Sequence, residues 1–152
     1  MDNREVINDI LVNLFEEILE IEAEALLNGE FKNISVNDMH IINAIEPGDG
    51  KNMSTIAEMR GVTIGSLSTS MNSLVKKGYV YRERSEEDRR VVIIKLTEKG
   101  IRAYEAHKEF HDMLADAAIG SMTPEELPKV VKVLKGVAAF FREFRKKENG
   151  KE

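Results

Sequence analysis

Short polar side chains near the middle of the sequence are its strongest candidates for binding chemistry. Between positions 63 and 77, hydroxyl and amide groups alternate with apolar residues at helical spacing, so one helix face would carry hydrogen-bonding groups and little bulk. Such a face fits the DNA major groove, which is about 12 Å wide and exposes the base edges. The candidate DNA-contacting residues of this region are Ser54, Thr63, Gly65, Ser66, Ser68, Thr69, Asn72, Ser73 and Lys76.

The residues around this face fit a helix-turn-helix unit. Such a unit needs a small residue where two helices cross, a residue tolerant of positive φ in the turn, and apolar anchors on the second helix. Ala57 is the small residue and Gly61 the turn residue, and the anchors at i, i+4 and i+7 are Leu67, Met71 and Leu74. Ordinary core helices also show this spacing, so a purely structural role stays open.

Arginines follow in a predicted β-hairpin. Residues 79–84 and 90–96 are β-branched and basic, and the polar segment 85–89 separates them, which is typical of two strands and a turn. An arginine at such a tip can enter the minor groove, where narrow A·T segments concentrate negative potential, and Asp88 could orient it by a salt bridge. The alternative is a solvated turn. The candidate DNA-binding arginines are Arg82 and Arg84 on the arms and Arg89 and Arg90 at the tip.

The distribution of charge favours the same region. The net charge is −5, but residues 1–50 contain 2 Lys or Arg against 12 Asp or Glu, whereas residues 51–99 contain 10 against 6. Because charges beyond about 8–10 Å are largely screened at physiological salt, a local basic segment can attract phosphate within an acidic protein. The absence of cysteine excludes disulfides, thiolate catalysis and cysteine-based zinc sites.

The elements that position these residues are mainly helical. Apolar periodicity predicts the order α-α-α-α-β-β-α-α, a mainly α fold with a small β-hairpin. The first helix is predicted over residues 6–27, ending in a left-handed cap at Asn28 and Gly29. Hydroxyl side chains ahead of apolar stretches predict further helix starts at Ser35, Ser54, Thr63, Thr97 and Thr123.

The last predicted helix carries more apolar surface than one intrachain contact needs. Val130, Val133, Leu134, Val137 and Phe141 belong to a nearly continuous apolar band. A helix with so wide an apolar face normally packs on two sides. This pattern favours a homodimer, although an ordinary intrachain core would produce it as well.

Two segments carry a family resemblance. Residues 88–100 resemble the wing signature of the MarR family of bacterial transcription regulators, and residues 75–80 resemble the end of that family's recognition helix. The resemblance extends over nearly the whole chain. It implies a winged helix-turn-helix repressor, not an enzyme, that binds a pseudo-palindromic operator in duplex DNA as a homodimer. The implied organisation is a single domain over 1–152, with a DNA-binding lobe at 35–100 and a dimerisation region at 1–34 and 101–147.

Within this family, the sequence resembles the repressors of fatty-acid biosynthesis. That resemblance implies control of fatty-acid biosynthesis genes with acyl-acyl carrier protein as corepressor. Two alternatives stay open: a regulator of drug-resistance or catabolic genes that a small aromatic or other apolar ligand releases, and a winged-helix protein-interaction module without DNA binding. The resembling segments are 39–40, 62–65, 69–74, 85–92 and 107–111.

Histidines and a methionine are the candidates for an effector pocket, namely Met39, His40, His107 and His111. His107 and His111 lie at i and i+4 and could share a metal ion. Their surroundings in sequence offer no third ligand, so neither a metal nor a cofactor is predicted. The acidic residues of segment 16–24 match the solvent face of the first helix.

The sequence gives no sign of a membrane segment. No apolar run approaches the roughly 18 residues that a span requires, and the N-terminus lacks a basic segment followed by an apolar one. We therefore expect a cytoplasmic protein without a membrane partner.

Overall fold

The computed structural model describes residues 2–150 and has a mainly helical fold with a small antiparallel sheet. This architecture confirms the predicted fold class. The elements in chain order are α1 (Asn3–Leu27), α2 (Val36–Ile45), β1 (Lys51–Asn52), α3 (Met53–Arg60), α4 (Ile64–Lys76), β2 (Val80–Arg84), β3 (Val92–Leu96), α5 (Glu98–Gly120) and α6 (Leu127–Asn149).

The chain divides into two compact units, residues 2–110 and 111–150. The first unit contains the buried core, where α2, α3, α4 and the sheet meet. Ile42, Ile56 and Ile94 in this core have no exposed surface. The second unit contains the end of α5 and the whole of α6, and α6 has no buried residue.

The sheet has three strands rather than the predicted two. β2 and β3 pair antiparallel, with Arg84 opposite Val92 at the outer end, and β1 adds to the other side of β3. Sequence reasoning missed β1 because two residues are too few for a periodic pattern. Gly50 precedes β1 with φ 80°, and a Cβ there would come closer than 3.0 Å to the Ile94 carbonyl oxygen, so this close pairing depends on glycine.

Ser35 and Thr63 are the N-caps of α2 and α4, as predicted. Asp38 N donates to Ser35 Oγ at 3.0 Å and Ser35 N donates to Asp38 Oδ2 at 3.1 Å, which completes a capping box. Thr63 Oγ1 accepts from Ser66 N at 3.1 Å at the start of α4. These side chains satisfy amides that the first helical turn leaves unpaired.

The start of α3 differs from the prediction. Asn52, not Ser54, is the N-cap, because its side-chain oxygen accepts from Thr55 N at 2.8 Å and the helix begins at Met53. Asn and Ser cap about equally well, and Asn52 also pairs with Ile93 in the sheet. Ser54 consequently lies exposed in the first turn of α3.

Two other helix ends also differ. Asn28 follows α1 with φ −94°, and Gly29 is not at positive φ, so the predicted left-handed cap is wrong. α6 begins at Leu127 rather than directly after Thr123. The Glu126 carboxylate accepts from Thr123 N at 2.8 Å and holds the intervening residues in a turn.

A close backbone approach holds the start of α5 against the chain leaving α4. Thr97 Oγ1 donates to the Gly78 carbonyl oxygen at 2.6 Å and accepts from Gly100 N at 3.1 Å, which confirms Thr97 as a start signal. A Cβ on Gly100 would come closer than 3.0 Å to the Tyr79 carbonyl oxygen. A side chain at this position would therefore force the two segments apart.

Candidate nucleic-acid interface

α3 and α4 form the predicted helix-turn-helix. Ala57 is buried on α3, and Gly61 has φ 64°, in the left-handed region. The anchors Leu67, Met71 and Leu74 are all buried. Because they fix one side of α4 in the core, the opposite side of the helix faces solvent.

The solvent side of α4 is polar and carries short side chains. The amides of its first turn are also directed outward from the helix N-terminus, which attracts phosphate oxygens. Sequence reasoning missed Ile64, which is 51% exposed in this turn and offers an apolar surface suited to a thymine methyl group. Of the predicted residues in this region, Ser54, Thr63, Gly65, Ser66, Thr69, Asn72 and Lys76 are exposed, and Ser68 and Ser73 are half-buried.

The wing, formed by β2, β3 and the loop between them, presents its arginines to solvent. Arg82 and Arg84 lie on β2 and are exposed. Arg84 Nη1 donates to the Arg89 carbonyl oxygen at 2.8 Å, and Ser85 N donates to the Val91 carbonyl oxygen at 2.9 Å. These contacts close the loop on itself and give its tip a defined shape.

Asp88 orients Arg90 at the tip, as predicted. Arg90 Nε donates to Asp88 Oδ1 and Nη2 donates to Oδ2, each at 3.0 Å, and Arg90 N also donates to Oδ1 at 3.1 Å. The hydrogen bonds from Arg90 hold the pKa of the Asp88 carboxyl below its usual range. Arg90 is thus partly neutralised by its neighbour, whereas no ion pair of Arg89 occurs among residues 2–150.

A hydrogen bond joins the wing to α4, the second helix of the helix-turn-helix. Arg82 Nη2 donates to Asn72 Oδ1 at 2.6 Å. Sequence reasoning named both residues as DNA contacts but did not foresee that they bind each other, because they lie on different elements. The bond leaves the Asn72 amide NH₂ and the rest of the Arg82 guanidinium as donors toward a ligand.

A small pocket lies in the first unit beside the core. Its volume is about 160 Å³. Two predicted effector residues, Met39 and His107, line it, and His40 contacts the lining residue Glu22 instead. His111 lies on α5 one turn after His107, in the second unit. The lining residues are Glu22, Ala25, Leu26, Gly29, Glu30, Phe31, Met39, Ala106, His107 and Phe110.

Glu22 overturns part of the expectation for the acidic segment 16–24. Its side chain is 4% exposed, and its Oε1 lies 2.8 Å from His40 Nε2 and 2.6 Å from His107 Nε2. Burial alone would raise the pKa of Glu22, but the hydrogen bonds from His107 and His40 outweigh burial and lower it. The carboxylate is therefore an ionised group inside the protein rather than on a solvent face.

Comparison with known proteins identifies relatives over most of the chain. The family model described as transcriptional regulator SarA/Rot matches residues 29–107. FabT of Streptococcus pneumoniae, solved in complex with DNA, is 36% identical and superposes with a TM-score of 0.87, over 93% of this chain and 99% of that chain.

A more distant solved structure agrees in fold, and a curated relative matches part of the sequence. AbsC, a MarR-family transcriptional regulator from Streptomyces coelicolor, has a TM-score of 0.73 at 21% identity, over 94% of this chain and 97% of its own. The uncharacterized HTH-type transcriptional regulator YfiV of Bacillus subtilis is 28% identical over 94 residues, so this chain spans 59% of that relative's length. Within residues 2–150, no helix is long and apolar enough to cross a membrane.

Proposed function

This chain belongs to the SarA/Rot family of transcriptional regulators and has the MarR-type winged-helix fold, and from this premise we propose that it binds duplex DNA as a homodimer and represses transcription from a pseudo-palindromic operator. Its relatives are transcriptional regulators rather than enzymes, as the sequence predicted. Action on chromosomal DNA would take place in the cytoplasm.

One observation carries the proposal: the polar face of α4 and the arginine-bearing wing are joined into a single surface by the Arg82–Asn72 bond. Thr69 and Asn72 on that face offer hydroxyl and amide groups to base edges. Lys76 and the wing arginines are exposed, and in this proposal they contact phosphates and the flanking minor groove.

Exposed apolar faces support the dimer. On α1, Ile7, Ile10 and Phe15 are 58%, 53% and 64% exposed. On α6, Phe140 and Phe141 are 63% and 58% exposed. Single exposed apolar residues are ordinary, but contiguous patches mark interaction sites. A second copy of the chain is the partner that a two-fold regulator requires, and it predicts half-sites about 34–36 Å apart on the operator.

The preference of the protein for particular DNA sequences tests the proposed DNA-contacting face of α4. We expect a Thr69→Ala, Asn72→Ala variant to remain folded and dimeric but to lose its preference for selected duplexes in gel shifts. Ser70→Ala is the matched control, because Ser70 lies on α4 outside the predicted reading face and is half-buried. Retained preference in the double variant, or equal loss in the control, would contradict the assignment.

Sedimentation equilibrium tests the dimer. Phe15→Asp places a charge on the apolar face of α1, and we expect its dimer dissociation constant to rise by about tenfold or more, since burying a Phe side chain contributes about 1.5–3 kcal/mol. Asn43→Asp adds the same charge at an exposed position of α2 and serves as control. A wild-type monomer at micromolar concentration would refute the homodimer.

Control of fatty-acid biosynthesis is the more specific proposal. Its support is the likeness to FabT over nearly the whole chain and the resemblance of the segments around the DNA-reading residues. Genome-wide footprinting should place the bound sites upstream of fatty-acid biosynthesis genes. Sites upstream of drug-efflux or catabolic genes instead would favour the alternative regulators.

The small pocket of the first unit limits which effector could bind without a change of structure. The pocket of about 160 Å³ is smaller than the roughly 300–1,000 Å³ of typical ligand pockets, so it accepts a small apolar group but must widen for a long acyl chain. Long-chain acyl-acyl carrier protein and a small aromatic acid can be titrated separately against duplex binding. A response only to the aromatic acid would contradict the corepressor assignment.

The protein-interaction alternative makes a different prediction. Such a module would not require exposed arginines along the wing, which this chain has at Arg82, Arg84 and Arg89. Salt-dependent binding to duplex DNA would exclude a module that binds protein alone. No binding to duplexes even at low salt would favour it.

A further inference from the structure

Strand alternation directs the Arg82 side chain toward α4. Val80 and Arg82 are two residues apart on β2, so their side chains lie on the same face of the sheet. Val80 is buried in the core, and the residue opposite Arg82 on β3 is Ile94, which has no exposed surface. Arg82 therefore continues the core-facing side of β2 beyond the edge of the core. Because α4 packs against β2, the guanidinium of Arg82 reaches Asn72.

Asn72 lies on the side of α4 that points away from the core. The buried anchors of the helix are Leu67, Met71 and Leu74. Thr69 and Asn72 are three residues apart on the other side of the helix, and both are exposed. The Asn72 amide is therefore directed outward from the protein, with Arg82 at one edge of it.

The chemistry of the two groups fixes the orientation of the Asn72 amide. A guanidinium has five N–H donors and no acceptor, so the atom that lies 2.6 Å from Arg82 Nη2 must be the Asn72 oxygen rather than its nitrogen. A hydrogen bond from a charged donor is about twice as strong as one between neutral groups. The bond thus holds the Asn72 NH₂ group on the side away from Arg82, where it can donate to a ligand.

A group that only donates discriminates among the four bases in the major groove. Guanine presents two adjacent acceptors there, N7 and O6, and no donor, whereas thymine presents the single acceptor O4. Adenine carries an amino donor beside N7, and cytosine carries an amino donor. An asparagine with a free oxygen binds adenine through two hydrogen bonds. In Asn72 the oxygen is engaged by a cation, whose remaining N–H groups would repel the adenine amino group, so guanine is the base that fits.

We propose that Arg82 sets the base specificity of Asn72, whose NH₂ group donates to N7 and O6 of a guanine in each half-site. This inference rests on the proposed binding of duplex DNA by a homodimer, whose symmetry places the guanine at equivalent positions of the two half-sites. Arg82 is a positioning residue, because it acts through Asn72. Stability alone explains the bond less well, since both side chains are exposed and water competes for their hydrogen bonds.

Selection of duplexes from a random pool tests the assignment through the preferred base. For the wild type we expect guanine at one position of each half-site. Arg82→Met keeps an unbranched stem but frees the Asn72 oxygen, so the preferred base at that position should change from guanine to adenine. Asn72→Asp replaces the donor by an acceptor, so cytosine should be preferred. The guanine duplex should bind Asn72→Asp about 5–150-fold more weakly for each half-site, the usual cost of one mismatched base pair.

Arg84→Met is the matched control for Arg82→Met. Arg84 follows Arg82 by two residues on β2 and so lies on the same face, but it donates to the Arg89 carbonyl oxygen rather than to α4. Its loss should weaken binding to all sequences alike and leave the preferred bases unchanged. The same uniform loss in Arg82→Met, with guanine still preferred, would overturn the proposal. A wild-type site in which no guanine preference depends on Asn72 would overturn it as well.

Modified bases provide a test that needs no protein variant. A selected duplex with 7-deazaguanine in place of the guanine lacks N7 and should bind the wild type about 2–10-fold more weakly for each substitution, the usual value of one hydrogen bond. Inosine keeps N7 and O6 and lacks only the minor-groove amino group, so it should bind as guanine does. Equal affinity for the 7-deazaguanine and guanine duplexes overturns the base contact, even if a variant fails to fold.

The failures of the two proposals are distinguishable. Absence of duplex binding by the wild type, even at low salt, contradicts the proposed function and this inference with it. Intact duplex binding with the same preferred bases in the wild type and in Arg82→Met contradicts only the role of Arg82.

Discussion

Replacing Arg89 by alanine should flatten the salt dependence of DNA binding. Arg89 is exposed at the wing tip, and its side chain has no ion pair among the described residues, so its charge is available to DNA. Each protein cation that neutralises a phosphate contributes about 0.9 to the slope of log affinity against log salt. Two protomers therefore lose about 1.8 from that slope.

The expected effect is large enough to measure. Between about 50 and 200 mM salt, a slope difference of 1.8 means that the wild type loses about 12-fold more affinity than Arg89→Ala. Fluorescence anisotropy with a mixed-sequence duplex is sufficient, because the electrostatic contribution does not depend on sequence. Arg90→Ala should flatten the slope less, since Asp88 already holds Arg90 in a two-point contact.

Arg102→Ala is the control for this experiment. Arg102 is an exposed arginine outside the wing that pairs with Glu30 at 3.1 Å, and its removal should leave the slope unchanged. If Arg89→Ala keeps the wild-type slope, or if Arg102→Ala lowers it equally, the wing does not contact DNA as argued.

Further predictions concern the stability of the protein. Gly100→Ala should lower the free energy of unfolding by about 1–3 kcal/mol, because the added carbon meets the Tyr79 carbonyl, whereas Gly136→Ala, with nothing within 4 Å, should raise it by up to about 1 kcal/mol; urea denaturation at fixed protein concentration measures both. Because hydrogen bonds lower the pKa of Glu22 in the fold, the ionised carboxylate contributes its full stabilisation above the ordinary carboxyl pKa, and this contribution is lost as pH falls from there through the lowered pKa. The unfolding midpoint of Glu22→Gln should therefore fall less steeply with acid than that of the wild type. Lys51→Met should destabilise the protein by about 1–3 kcal/mol, because Lys51 Nζ donates to two carbonyl oxygens at the end of α2; wild-type stability in this variant would contradict that estimate.

Short-range chemistry could be predicted from the sequence. Ser35 with Asp38 and Thr63 with Ser66 are contacts three residues apart, so one stretch of chain contains all the information. The anchors of α4 were identified for the same reason, since helical spacing alone separates a buried face from a polar one. Once the buried anchors of α4 are identified, the remaining side of the helix can be predicted to be polar and exposed.

Long-range pairing could not be predicted in the same way. The two residues of β1 form a strand only because β3 lies beside them. The same pairing fixes Asn52 at the end of β1, where it caps α3 in place of Ser54. Glu22 sits among acidic residues that are indeed exposed, and nothing local distinguishes it from them. Only the packing of α1 beside α2 and α5 brings it to the two histidines, and that packing is set by contacts across the whole first unit.

The Arg82–Asn72 bond has a consequence for how such a protein can change its target sequence. Under the proposed function, a substitution at Asn72 alters the helix that contacts the bases and at the same time removes a hydrogen bond from Arg82 of the wing. The preferences for major-groove and minor-groove sequence would then be coupled. Grafting α4 alone onto a related protein would transfer Asn72 without its hydrogen-bond partner Arg82. We expect new DNA specificities to arise most readily when Asn72 and Arg82 change together.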